Sequence, residues 1–286
     1  MRLNLNGKGD AIMSEIPLGK QTAYPTAYDP GLLFPVPRAA NRSNIGIAEG
    51  AALPFAGFDH WRAYELSWLS PTGQPVVALA DILVPCDSPC LIESKSMKLY
   101  FNSLNQHVFT DAESARQRIG QDLAEVAGAA VQVTLYTSEA QAVHTVDMAD
   151  AVLLDELTVT TSVYQPSPQL LTCHSGTDVN EILYSHLFRS NCPITAQPDW
   201  GSIVISYQGE QIDHRSLLSY LISYRLHEGF HEHCVEQIFQ DLSVQCRPRK
   251  LQVSINFLRR GGLEINPLRC SSGAIVAYPL PRLLRQ

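Results

Sequence analysis

Residues 62–85 read RAYELSWLSPTGQPVVALADILVP, and their patterning decides the fold. Apolar and polar side chains alternate from Arg62 to Ser70 and again from Gln74 to Pro85, the two-residue period of strands with one buried face. Pro71-Thr72-Gly73 supplies a tight connection, so the segment predicts an antiparallel hairpin. Helical spacing follows over 94–104 and 111–127, where apolar residues recur every three to four positions. Ser94 stands ready to cap the first of these helices, and Thr110 or Asp111 the second. AAVQVTLYT (129–137) then reads as a strand.

The second half returns to the same order. LLTCHSG (170–176), EILYSHLFRS (181–190) and GSIVISYQG (201–209) read as strands, 214–226 and 230–243 as helices, and KLQVSINFLRR (250–260) and GAIVAYPL (273–280) as strands. Two antiparallel sheets, each with a helical pair on one face, make an α+β architecture. Element order alone carries the likeness of the halves, since their residues differ too much to read as a sequence repeat. The polar, proline-bearing stretch TSVYQPSPQ (161–169) marks the boundary between modules over 21–165 and 166–286. Residues 1–20, polar and glycine-interrupted, predict a poorly ordered tail, and residues 20–60, rich in Pro, Gly and Ala, an irregular segment.

Composition excludes several classes of function. Lys+Arg of 21 against Asp+Glu of 28 leaves a formal charge of −7, so no global positive field exists to hold a polynucleotide, and an anionic ligand must meet local basic groups. The 7 cysteines are odd in number and none sits in a Cys-x-x-Cys pair, which predicts reduced thiols in the cytoplasm. No apolar run approaches the roughly 18 residues of a membrane span, and the N-terminus lacks the apolar stretch of a secretion signal. No Gly-x-Gly-x-x-Gly turn joins a strand to a helix, so a nicotinamide cofactor would not be held in the usual dinucleotide-binding way.

Four constellations are candidates for chemistry. FRSNCPITAQPDW (188–200) sets Cys192 at the end of a strand and Asp199 on a proline-braced loop, a nucleophile with a proton-transfer group nearby. Spacing alone favours the plainer reading, an inert buried thiol beside a loop carboxylate. In IESKSMKLYFNSLNQ (92–106), Lys95 and Lys98 share one side of a helix whose N-terminus also favours anions; these residues alone favour the plainer reading, a capped and solvated helix face. His227-Glu228-Gly229-Phe230-His231 matches the HExxH zinc signature, although Gly229 weakens the required helix and no third ligand stands out. Arg259-Arg260-Gly261-Gly262 forms a turn whose N–H and guanidinium groups can reach a phosphate, or an ordinary glycine turn.

Taken together, these stretches resemble the 7-cyano-7-deazaguanine reductases of queuosine biosynthesis, the QueF family, in its long two-module form. The family motif E-S/L-K-S/A-x-K-L/Y-Y stands here as Glu93 to Tyr100, and the Cys-Pro-x-Thr-x-Gln-Pro-Asp run as Cys192 to Asp199 without departure. The resemblance implies tandem tunnelling-fold modules, a homodimer, and one site that draws on both modules. It further implies that Cys192 captures the nitrile as a thioimide and Asp199 moves protons. Base contacts would fall on Ile92, Glu93, Ser94, His231 and Glu232, and NADPH contacts on Ser94, Lys95, Arg260 and Gly261, with no metal. A zinc hydrolase of the cyclohydrolase type built on HEGFHEHC (227–234) stands as the alternative, and a non-catalytic pterin- or purine-binding protein as a third reading.

Overall fold

The computed structural model describes residues 25–137, 148 and 150–271. The expected N-terminal tail and the strand expected over 273–280 lie outside them. Contacts divide the chain into two units: Met1–Ala51, His60–Ala142 and Arg260–Glu264 form the first, and Ala52–Asp59, Val143–Arg259 and Ile265–Gln286 the second.

The first unit holds β1 (Pro35–Pro37), α1 (Ala39–Asn44), β2 (Ala56–Leu69, whose residues through Asp59 count with the second unit), β3 (Pro75–Pro85), β4 (Cys90–Ile92), α2 (Ser94–Ser103), α3 (Ala112–Ala127) and β5 (Gln132–Tyr136). β3 lies between β2 and β5. The expected hairpin is present, its turn closed by the Ser70 N–H to Gln74 carbonyl at 2.9 Å. One face of β3 buries Ala78, Ala80, Ile82 and Val84. The other buries Asp81, whose carboxylate takes the Arg62 guanidinium through two hydrogen bonds (2.6 and 3.0 Å) and lies 3.0 Å from His60 Nε2. That pairing satisfies a charge that burial would otherwise penalise. The stretch before β2, expected to be irregular, carries β1 and α1, and β2 begins several residues before Trp61. β1 pairs with β4 and so fixes the chain where it turns into α2.

The second unit holds β6 (Val152–Leu153), β7 (Cys173–Ser185), β8 (Arg189–Asn191), β9 (Pro198–Ile212), α4 (His214–Ile222), α5 (His231–Gln245), β10 (Lys250–Phe257) and most of β11 (Leu263–Cys270). Its sheet runs β11-β10-β9-β7-β6, with β8 paired to β9. The two strands expected over 170–190 are one strand with a register shift between His174 and Asp178, followed by the short β8. β11 was not expected, because Pro267 interrupts it and proline removes a ladder donor; it pairs with β10 only from Leu268 onward. Each helical pair packs on a strand of its own unit, α3 on β5 and α5 on β10. The fold is α+β, with sheets that are antiparallel apart from the parallel β6–β7 pair and that carry helical pairs, as tandem tunnelling-fold modules imply.

The helical pairs also repeat in detail. In the first unit Glu93 caps α2, the Ser96 hydroxyl donates back to the Glu93 carbonyl, the Tyr100 hydroxyl donates to Asp122 of α3 at 2.6 Å, and the Ser103 hydroxyl donates to the Tyr100 carbonyl. In the second, Asp213, Ser216, Tyr220, Asp241 and Ser223 make the same contacts on α4 and α5, Tyr220 meeting Asp241 at 2.6 Å. The likeness of the halves thus extends to a shared set of polar locks, which element order alone did not disclose.

Candidate active site

Cys192 follows β8 directly. The β8 ladder sets Ser190 opposite Asp199 and Asn191 opposite Pro198. The loop between the strands is pinned at both ends, by the Cys192 N–H to the Gln197 carbonyl and the Ala196 N–H to the Cys192 carbonyl, each 2.9 Å, with Ala196 at a positive φ of 55°. On its other edge Asn191 bonds to His227 and Gly229, at 2.8 and 3.0 Å. Cys192 is therefore held on a short, braced loop with its side chain largely buried. Asp199 sits in the ladder of β9 rather than on that loop, because Pro198 begins the strand. Its placement is accordingly stiffer than the sequence suggests.

The His231 imidazole presents Nε2 to Asp199 Oδ2 at 3.4 Å, and both side chains are largely buried. This is longer than an ordinary hydrogen bond, within the range that catalytic pairs show before substrate binds. His231 is the first residue of α5 and Glu232 the second, the latter buried. Cys234, two residues beyond Glu232, is fully buried. Burial pushes its thiol up to about 12, with the Asp199 and Glu232 carboxylates adding to the effect and the neighbouring Ser190 side chain opposing it. Asp199, Glu232 and Cys234 thus share one environment. Ser190 and Cys234 fall within the segments 188–200 and 227–234, yet the sequence assigns neither to this environment; Cys234 enters there only as a ligand of the zinc alternative.

In the first unit, Ile92 ends β4 and is buried. Glu93 caps α2 in place of the expected Ser94. Its Oε1 accepts the Lys95 N–H and its Oε2 the Ser96 N–H, both at 2.8 Å, and the Glu93 N–H donates to the Phe34 carbonyl. A Glu can cap where its side chain folds back over the first turn, which leaves Ser94 half-buried at the helix start. Burial raises the Glu93 carboxyl, and these backbone donors oppose the rise. Oε1 also accepts the Ser94 hydroxyl at 3.4 Å, so Oε2 is the oxygen that retains a second lone pair for a ligand. Gly261 and Gly262 adopt positive φ, 53° and 76°, and Lys98 reaches over the turn: a Cβ on Gly261 would lie 1.7 Å from Lys98 Nζ. The Arg260-Gly261 turn and the lysine-bearing helix are therefore neighbours within this unit. Two lysines, an arginine and a glycine turn make a donor set that suits the phosphates of a nicotinamide dinucleotide, with the Glu65 carboxylate lying against the same turn at Gly262.

The HExxH segment is not a zinc helix. His227 precedes α5 and packs edge-on against Tyr224, with ring centroids 5.3 Å apart, and burial lowers its imidazole to about 4. Gly229 stands before the helix, where the backbone runs beside Asn191. His227 and His231 therefore do not share a helical face. No group of three or more His, Cys, Asp or Glu among the described residues is arranged to hold a metal ion. Nor is any described helix long and apolar enough to cross a membrane.

Residues 24–135 match the family described as "Nitrile reductase, 7-cyano-7-deazaguanine-reductase N-term", and residues 198–274 match "QueF-like protein". The chain is 49% identical to the NADPH-dependent 7-cyano-7-deazaguanine reductase of Bordetella pertussis over 90% of its length and 93% of that protein's. It is 52% identical to the reductase of that name from Ralstonia nicotianae, over 88% of this chain and 92% of the other. It is 49% identical to that from Chromohalobacter salexigens, over 97% and 99%. With such identity sustained over nearly the whole of both partners, the chain belongs to the family of NADPH-dependent 7-cyano-7-deazaguanine reductases.

Proposed function

We propose that this chain reduces the nitrile of 7-cyano-7-deazaguanine to the primary amine of 7-aminomethyl-7-deazaguanine, a four-electron reduction in queuosine biosynthesis. The observation that carries the reading is the Asp199–His231 pair, set one ladder step from the pinned Cys192 loop.

Cys192 is the nucleophile. Its sulfur adds to the nitrile carbon, one carbon–nitrogen π bond opens, and the nitrogen takes a proton to give a covalent thioimide. Asp199 accepts the thiol proton and returns it to that nitrogen, which makes the carbon more electrophilic. His231 holds Asp199 in place and shares its proton. Bound NADPH supplies hydride, twice per turnover. After the first hydride adds, the carbon–sulfur bond breaks, Cys192 leaves as thiolate and an imine remains. The second hydride adds to the imine carbon, one solvent proton delivered through Asp199 completes the amine, and another restores the Cys192 thiol. The family resemblance assigns base contacts to Ile92, Glu93, Ser94, His231 and Glu232, and cofactor contacts to Ser94, Lys95, Arg260 and Gly261. The buried Glu93 and Glu232 carboxylates suit the donor edge of the base, and the basic groups suit the phosphates.

The same resemblance supports two chain modules, over 21–165 and 166–286, and a homodimer, to be measured by sedimentation. Free thiols at all seven cysteines agree with a reducing cytoplasm. The experiment that tests the activity is incubation with 7-cyano-7-deazaguanine while NADPH absorbance is followed. Two NADPH consumed per nitrile support it, and the absence of nitrile-dependent oxidation overturns it.

A further inference from the structure

The imidazole of His231 lies flat on the ring of Phe257, with centroids 3.7 Å apart and planes 5° from parallel. A histidine ring turns about a broad torsion, so something outside the residue must fix its plane. Asp199 at 3.4 Å is too distant to do so alone, and His231 Nδ1 is buried with no hydrogen-bond partner. One flat face remains as the constraint, and Phe257 supplies it.

Phe257 is itself over-determined. It ends β10, where its N–H donates to Asn266 Oδ1 at 3.0 Å, and the Phe188 ring meets it edge-on, 5.9 Å away. Its ladder partner on β9 is Gly201, two residues from Asp199 and therefore on the same face of that strand. A Cβ on Gly201 would stand 3.3 Å from Phe257 Cδ1 and 2.7 Å from Ile255 Cγ2. A strand glycine of this kind marks a close approach, and here it leaves room for the Phe257 ring to lie beneath the imidazole.

We propose that Phe257, seated by Gly201, is a positioning residue for the reduction: its ring sets the plane of His231 so that Nε2 points at Asp199 and Nδ1 is kept free. This role rests on the reductase reading above. Phe257 acts through His231, on which it is stacked. A flat aromatic face is the requirement, and apolar bulk alone does not meet it.

The test compares Phe257→Leu, apolar but not flat, with Phe257→Tyr, which restores the face, in the full-length enzyme. NMR of the His231 ring protons reads the stack directly, through the upfield ring-current shift of a proton above an aromatic face. The wild-type and Tyr proteins should show that shift, and the Leu protein should lose it. With thermal unfolding confirming a folded protein, kcat should fall about 10-fold or more in Phe257→Leu, since small misplacements of reacting groups cost up to about 100-fold. Phe257→Tyr should return kcat to within about threefold of wild type. Affinity for the base, measured calorimetrically in a Cys192→Ala background, should change less than kcat. Gly201→Ala, which moves the ring without altering it, should lower kcat in the same direction. A folded Phe257→Leu enzyme with wild-type kcat overturns the proposal, as does a Tyr variant as impaired as Leu. Wild-type enzyme that turns over no nitrile would instead overturn the reductase reading and, with it, the role assigned here.

Discussion

Asp199 Oδ2 faces His231 Nε2 across 3.4 Å, a carboxylate on a strand and an imidazole at the first position of a helix. Rigid elements hold both groups, so the pair is organised before substrate arrives. Asp199→Asn preserves the shape of the side chain and removes its basicity. It should lower kcat on the order of 100-fold to 10,000-fold, the usual range for a lost proton-transfer group. Base affinity should stay within a few-fold in calorimetry. Loss of base binding equal to the loss of kcat would mean that Asp199 serves the ground state instead.

Lys95 and the Arg260-Gly261 turn belong to the first unit, with Lys98 lying over Gly261. Lys95→Ala should raise the KM for NADPH about 10-fold and leave base affinity nearly unchanged, since an ammonium meeting a phosphate contributes through charge. Gly261→Ala puts a Cβ onto the Lys98 ammonium at a backbone conformation that disfavours side chains, and should weaken the cofactor similarly. Steady-state kinetics with NADPH varied decides. A selective rise in the nitrile KM would reverse the assignment of sides.

The polar locks between helices predict an unequal pair of stability losses. Asp122 accepts hydroxyls from both Tyr100 and Tyr28, each at 2.6 Å, whereas Asp241 has Tyr220 as its one hydrogen-bond donor among the described residues. Removing the sole donor leaves a half-buried carboxylate without its protein partner, so Tyr220→Phe should destabilise by about 2 kcal/mol. Tyr100→Phe should cost about 1 kcal/mol because Tyr28 remains. Denaturant midpoints measure both, and equal losses would show that Tyr28 does not compensate.

His227 gives the fold a pH dependence of known sign. Burial lowers its imidazole from 6.5 to about 4, so the folded state keeps it neutral where an unfolded chain would protonate it. The unfolded state then binds more protons, and stability is whole above about 6.5 and declines as pH falls toward about 4. His227→Phe keeps an aromatic ring beside Tyr224 and should flatten the melting temperature over that window. Parallel pH profiles for the two proteins would assign the dependence to another group.

Much of this was legible in the sequence because it rests on local physics. The hairpin around Pro71-Thr72-Gly73 follows from alternation and turn chemistry, and the helices from apolar spacing. What stayed hidden depends on distant partners. Glu93 displaces Ser94 as the cap because its side chain folds back over the first turn and β1 fixes the chain at its start. β11 was concealed by Pro267. The Cys192 loop was recognisable as a motif, yet Asp199 proved to be a strand residue, and its partner His231 comes from an HExxH match whose first histidine lies outside the helix. Phe257 carries no local signal at all. Only Gly201, inside an otherwise apolar strand, hints that another ring comes close.

The covalent step is the centre of the account, and intact-protein mass spectrometry tests it most directly. Incubated with 7-cyano-7-deazaguanine and no NADPH, the protein should gain the mass of one substrate molecule, located by peptide mapping at Cys192 and lost when NADPH is added. Cys192→Ala should show no gain while still binding the base. Turnover by the wild-type enzyme with no adduct at Cys192, or an adduct that persists in Cys192→Ala, would contradict the account.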